Sequence, residues 1–114
     1  MAVLKTNTVV VPHKAGGKGE VQIEHLLTEK ELDGKCKMYA RITIKPGCSI
    51  GLHEHHGNTE TMHILQGEAL YNDNGTEIKL HAGATTFCPD GEKHSIENCA
   101  ASGDLVFMGL VIIK

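Results

Sequence analysis

The sequence predicts an all-β fold, a barrel of short antiparallel strands with one short helix. Three observations carry that reading. Runs rich in Val, Ile, Thr and Tyr recur at short intervals and are cut by Gly, Asn, Asp and Pro, the pattern of strands joined by tight turns. No long stretch repeats its apolar residues with the period of a helix. Asn72-Asp73-Asn74-Gly75 supplies the residues that tolerate the positive φ angles of a tight hairpin.

In chain order the strands are expected at residues 7–11, 21–26, 36–45, 61–65, 69–72, 77–80, 85–88, 95–98 and 104–113, with the 72–75 turn tying 69–72 onto 77–80. The helix falls between the second and third strands. Thr28 is its N-cap, Glu29 and Glu31 place negative charge in its first turn, and Asp33-Gly34 stops it, so that it would cover one end of a barrel. Residues 15–19, Ala-Gly-Gly-Lys-Gly, read as a flexible connection; no Gly-Lys-Ser/Thr closes it and no helix follows, which excludes a phosphate loop.

Along 36–45 the face of Met38, Ala40, Ile42 and Ile44 is expected to be buried, and that of Tyr39, Arg41, Thr43 and Lys45 to be outside. A bulge that turned Tyr39 and Arg41 inward would instead give the interior a cation for a carboxylate or phosphate. The last run, 105–113, is apolar on both alternating faces and should be covered on both, either at the centre of one barrel or at a homodimer contact.

A length of 114 residues suits one domain spanning 1–114, and a hydrophobic share of 40% is enough for a compact core. A formal charge of -3, with lysines scattered from Lys5 to Lys114, offers no basic stripe for nucleic acid and no polybasic cluster for a membrane surface. Lys5, Thr6 and Asn7 follow Met1-Ala2-Val3-Leu4 too soon for a signal-peptide core, so a cytoplasmic location is expected. Cys36, Cys48, Cys88 and Cys99 form no C-x-x-C pair and read as reduced thiols.

Eight histidines are present, and their placement matters more than their number. His53 and His55 are one residue apart, so on a strand both imidazoles project from one face. The polar turn at 56–59 can swing Glu60 back to meet them, and His94 arrives from a distant segment. Three imidazole nitrogens and one carboxylate oxygen suit a divalent transition metal, with manganese, iron, nickel, zinc and copper all compatible, and would leave positions open for a ligand. The helical zinc-protease pattern H-E-x-x-H fails, because the residue four after His53 is Gly57. His13, His25, His63 and His81 read as hydrogen-bonded or exposed side chains, and His56 as pointing away from the site.

These residues resemble the cupin family. Gly47, His53, His55, Glu60 and Gly67 match its first motif in register, and Gly83, Pro89, Gly91, His94 and Asn98 its second, so the resemblance covers a core at 47–98. Ala84 stands where the second motif often has aspartate. The resemblance implies a double-stranded β-helix, or jelly-roll barrel, with His53, His55, Glu60 and His94 as metal ligands. The length is similar to that of small one-domain bacterial cupins, many of which are dimers, so a homodimer is expected.

If Glu60 and His94 point inward, alternation carries Met62, Ile64, Gln66, Ile96 and Asn98 inward too, as candidate pocket residues. The expected function is that of a metal-dependent enzyme on a small oxygen-rich molecule; the family's dioxygenases, decarboxylases, isomerases and lyases leave the reaction open. Glu60 is the candidate catalytic group, a ligand able to loosen and take a proton. The alternative is a non-catalytic cupin that holds a small molecule at the same metal, favoured by the lack of an obvious second acid or base in the motif core. A metal kept only for stability is a weaker third reading.

Overall fold

The computed structural model describes residues 2–114. Ten strands form: β1 (Asn7–Pro12), β2 (Glu20–His25), β3 (Cys36–Ile44), β4 (Ser49–Glu54), β5 (Asn58–Gln66), β6 (Glu68–Asp73), β7 (Thr76–His81), β8 (Thr85–Cys88), β9 (Lys93–Asn98) and β10 (Leu105–Ile113). They make two antiparallel sheets, one of six strands in the order β1-β2-β3-β10-β5-β8 and one of four in the order β4-β9-β6-β7. A single helical turn, α1 (Glu29–Leu32), follows Thr28, whose backbone N–H donates to the Glu31 carboxylate at 2.9 Å, and Asp33 ends it in the left-handed region. Among the described residues no helix is long and apolar enough to cross a membrane.

The β6–β7 hairpin turns on Asn74 and Gly75, both at positive φ, and the Gly75 N–H donates to Asn72 Oδ1 at 2.7 Å. That is the geometry two-residue hairpins favour, because it matches the twist of the strands it joins. Two strand expectations need correction. β4 was not expected as a strand in its own right, since Gly51 interrupts its alternation; the β4–β9 register shifts between Ile50 and His53. β5 begins at Asn58, which shortens the polar turn before Glu60 to His56 and Gly57.

Residues 15–19 are not a loose connection. Lys14–Gly16 form a 3₁₀ turn that lies directly on β4, where a Cβ on Gly17 would collide with the Ser49 carbonyl and one on Gly51 with the Ala15 carbonyl. Lys18 N–H donates to Ser49 Oγ at 2.9 Å, and Ser49 N–H returns to the Lys18 carbonyl at 3.0 Å. Composition suggested flexibility, but the absent side chains serve close backbone approach.

The core lies between the sheets. Ile42 and Ile44 of β3, Met62 and Ile64 of β5 and Leu105 and Phe107 of β10 face Ala69, Tyr71 and Ile96 of the smaller sheet. Tyr39 and Arg41 take the outer face, where Arg41 donates twice to Glu24 Oε1 at 3.0 and 2.6 Å, so no bulge brings a cation inside from this strand. β10 is central, between β3 and β5, yet only its inner face is fully covered. Val106, Met108 and Leu110 remain half-buried on the outer one.

Candidate metal centre

Strand geometry brings four distant side chains to one end of the core. His53 comes from β4 and His55 from the residue just after it, Glu60 from β5, and His94 from β9, whose backbone pairs with His53. The Nε2 atom of His94 lies 3.0 Å from those of both His53 and His55. Glu60 Oε1 is 3.0 Å from His94 Nε2, 3.1 Å from His55 Nε2 and 3.8 Å from His53 Nε2. All four donor atoms fall within 4.8 Å of one another. His94 is wholly buried, His55 and Glu60 nearly so, and His53 half-exposed.

The outer edges of the rings decide what the inner edges are. His53 Nδ1 donates to the Gly51 carbonyl at 2.8 Å, an oxygen that can only accept. His55 Nδ1 donates to Asn58 Oδ1, and the orientation of that amide is set by its Nδ2, which donates to the His56 carbonyl at 3.3 Å. His94 Nδ1 lies 2.7 Å from the Tyr71 hydroxyl, and burial pushes that phenol up to about 12, so it stays a neutral O–H that can either accept from Nδ1 or donate to it. With protons on Nδ1, the Nε2 atoms of His53 and His55 present lone pairs, and His94 does the same in the tautomer in which the Tyr71 oxygen accepts.

In that tautomer four acceptors converge with no donor among them, and a buried acceptor left unpaired costs about 1–3 kcal/mol. A divalent cation satisfies all four at once, so the donor set fits a metal. Without one, protons must be shared within the cluster. Burial alone would raise Glu60, but hydrogen bonds from His53, His55 and His94 outweigh it and hold the carboxyl far below its usual range. The Glu60 carboxylate raises His55, against the opposing pull of burial and the charge of Lys37.

A cavity of about 490 Å³ opens onto the cluster. Apart from the ligands its wall includes Met38 and Val111, which are apolar, and Lys14, His25, Lys37, Glu54 and Asn58. The five candidate pocket residues lie elsewhere. Met62, Ile64 and Ile96 do point inward but are packed in the core, and Asn98 donates to the Ile44 and Gly103 carbonyls, both at 2.9 Å. Gln66 is exposed beyond a register shift between Val106 and Phe107 and donates to the Asp104 carbonyl at 3.2 Å. Alternation predicts which side a residue faces but not depth. The space lies at the Asn58 end of β5, while the positions after Glu60 run into packed interior.

His25, half-buried at the end of β2, also lines the cavity. His13, His63 and His81 are exposed, and His56 is exposed with Nε2 2.7 Å from Glu54 Oε2. Cys88 sits opposite Glu60 in the β5–β8 pairing; burial and the nearby charges of Glu60, Glu92 and Asp73 push its thiol up to about 11, so it remains protonated.

Two sheets closing over a buried cluster of three imidazoles and a carboxylate define a small β-barrel with a metal-site-like centre. The chain belongs to the cupin family, whose Cupin domain profile matches residues 40–113. It is 41% identical over 103 residues to an oxalate-binding protein of Thermotoga maritima, covering 90% of this chain and 84% of that one. The crystal structure of a predicted oxalate decarboxylase, also from Thermotoga maritima, superposes with a TM-score of 0.93 at 38% identity, covering 100% of both chains. The cupin domain of Schizosaccharomyces pombe Cnp3, at 13% identity and a TM-score of 0.73 over 97% of this chain and 89% of that one, shares the fold alone.

Proposed function

We propose that this cupin holds one divalent transition metal on His53, His55, Glu60 and His94 and uses it to bind a small carboxylate of the oxalate class. The observation that carries the reading is the convergence of three imidazole Nε2 atoms and a carboxylate oxygen within 4.8 Å of one another beside an open cavity. A metal there supplies Lewis acidity toward carboxylate oxygens. The chain contributes the apolar flank of Met38 and Val111, which limits competing water. The names of the Thermotoga maritima matches support the choice of ligand class.

Turnover is the second reading, supported by Glu54, a half-exposed carboxylate in the cavity wall that binds no metal ligand and could carry a proton. Calorimetry of oxalate against manganese-loaded protein is expected to give saturable binding that metal-free protein lacks; no heat with metal bound would sink the ligand assignment. Formate released from oxalate by the loaded protein, and lost in Glu54→Gln, would establish turnover, whereas binding without formate leaves a binding protein.

The reading includes a cytoplasmic homodimer. A row of residues crosses the outer face of the six-stranded sheet, Tyr39, Leu110, Thr61 and Phe87 in register, with Tyr39 37% and Phe87 58% exposed. An aromatic and aliphatic row of this kind suits a self-complementary contact. Light scattering is expected to give twice the chain mass for the parent and the single mass for Phe87→Glu; a monomeric parent refutes the dimer.

A further inference from the structure

We propose that Lys14 and Lys37, with His25 beside them, form a collar that holds the distal anionic group of a ligand whose first carboxylate sits at the metal cluster, so that the site also takes dianions longer than a two-carbon diacid. The inference rests on the metal-site reading above. Its starting point is charge. The chain carries a net -3, yet two lysines stand in the wall of the cavity that opens onto the cluster, and among the described residues neither takes part in an ion pair. The carboxylates of that wall are engaged, Glu60 with three imidazoles and Glu54 with His56 at 2.7 Å. Among the described residues no carboxylate lies within ion-pair distance of either lysine, so both present positive charge to the ligand space.

Position supports the same conclusion. His25 and Lys37 also line a second cavity of about 510 Å³ under α1, so they stand where the two spaces meet. A two-carbon diacid occupies on the order of 100 Å³, scaling from the ~30 Å³ share of one water, and would leave most of the 490 Å³ open. A longer acid chelating through one end would extend across that space toward the collar.

Lys14 is not held there by chance of a mobile loop. The residues on both sides of it, His13 at φ 50° and Ala15 at φ 52°, are left-handed without being glycine. Strain of that kind persists only where the surroundings enforce it, and here the Gly17 and Gly51 contacts with β4 do so. Gly51, against which the turn packs, also supplies the carbonyl that accepts from His53, so the turn that presents Lys14 and the strand that presents a ligand share one junction. Lys37 is on β3, next to Met38 of the cavity wall.

The test is calorimetry on nickel-loaded full-length protein with two acids that chelate alike, 2-hydroxyglutarate and 2-hydroxypentanoate, which differ in the distal carboxylate. The parent is expected to bind the diacid about tenfold more tightly, as two partly solvated ion pairs allow. In Lys14→Met/Lys37→Met that preference is expected to fall to about parity, with nickel content and 2-hydroxypentanoate affinity unchanged. Equal affinities in a nickel-loaded parent, or a preference that survives in the double variant, overturn the collar while leaving the metal site standing. A parent that takes up no nickel overturns the metal site and the collar with it.

Discussion

His94→Ala is expected to abolish metal retention, and Glu60→Gln to reduce it severely, in protein that keeps its β-sheet spectrum. His94 is the one ligand with no solvent exposure, and its Nε2 touches each of the other three donors. Without it the remaining two imidazoles and carboxylate must hold a cation beside a void. Glu60→Gln keeps the shape but removes the only negative charge of the cluster. Elemental mass spectrometry should find about one transition metal per chain in the parent and almost none in His94→Ala.

Because His94→Ala also strips a partner from the buried Tyr71 hydroxyl, at a cost of about 1–3 kcal/mol, His53→Ala provides a ligand deletion at the half-exposed rim, where folding is least disturbed. A full complement of metal in both alanine variants would refute the site. Tyr71→Phe should sit between, keeping all four ligands but losing the hydroxyl that orients His94. A fall in metal affinity of about 10–100-fold in a chelator competition is expected, and an unchanged affinity would remove Tyr71 from the centre.

The contrast between Glu60 and Tyr71 also measures what was legible in the sequence. Ligands could be read because they sit at short, period-two spacing inside a family motif whose positions all match, and the alternation that put His53 and His55 on one face is local geometry. Tyr71 reaches His94 only because β6 pairs with β9, with Asp73 opposite His94 and Tyr71 opposite Ile96, and no local pattern encodes a pairing between strands so far apart in the chain. The same holds for Lys14, His25 and Lys37, which share a cavity wall through the tertiary packing of a turn and two strands. Strand existence was readable almost throughout, since alternation and turn residues are local. The lost element, β4, is the one whose alternation is broken by Gly51, and that glycine is there for the turn that lies upon it.

Metal addition should stabilise the protein far more at about pH 8 than at about pH 5.5, because the cluster satisfies itself with protons in acid and cannot do so in base. In the metal-free chain Glu60 lies far below its ordinary 4.5, so its contribution to stability is present above that value and is lost only as pH falls through the much lower folded value. His55 is raised from its ordinary 6.5, so its contribution is complete below 6.5 and is lost as pH rises through the folded value. Between about pH 4.5 and 6.5 both are present, and a proton on His55 opposite the Glu60 carboxylate stands in for the cation.

Once pH rises past the raised folded value of His55 the proton leaves, lone pairs face one another, and the metal meets no competitor. At a hundred times its Kd a ligand adds ~2.7 kcal/mol, which for a domain of this size is about 10 °C in Tm. Thermal melts with and without nickel should therefore separate by about that much in base and by little in acid, and the separation should vanish at both pH values in His94→Ala. A shift that is equal at the two pH values, or larger in acid, would mean that the cation sits on groups other than these imidazoles.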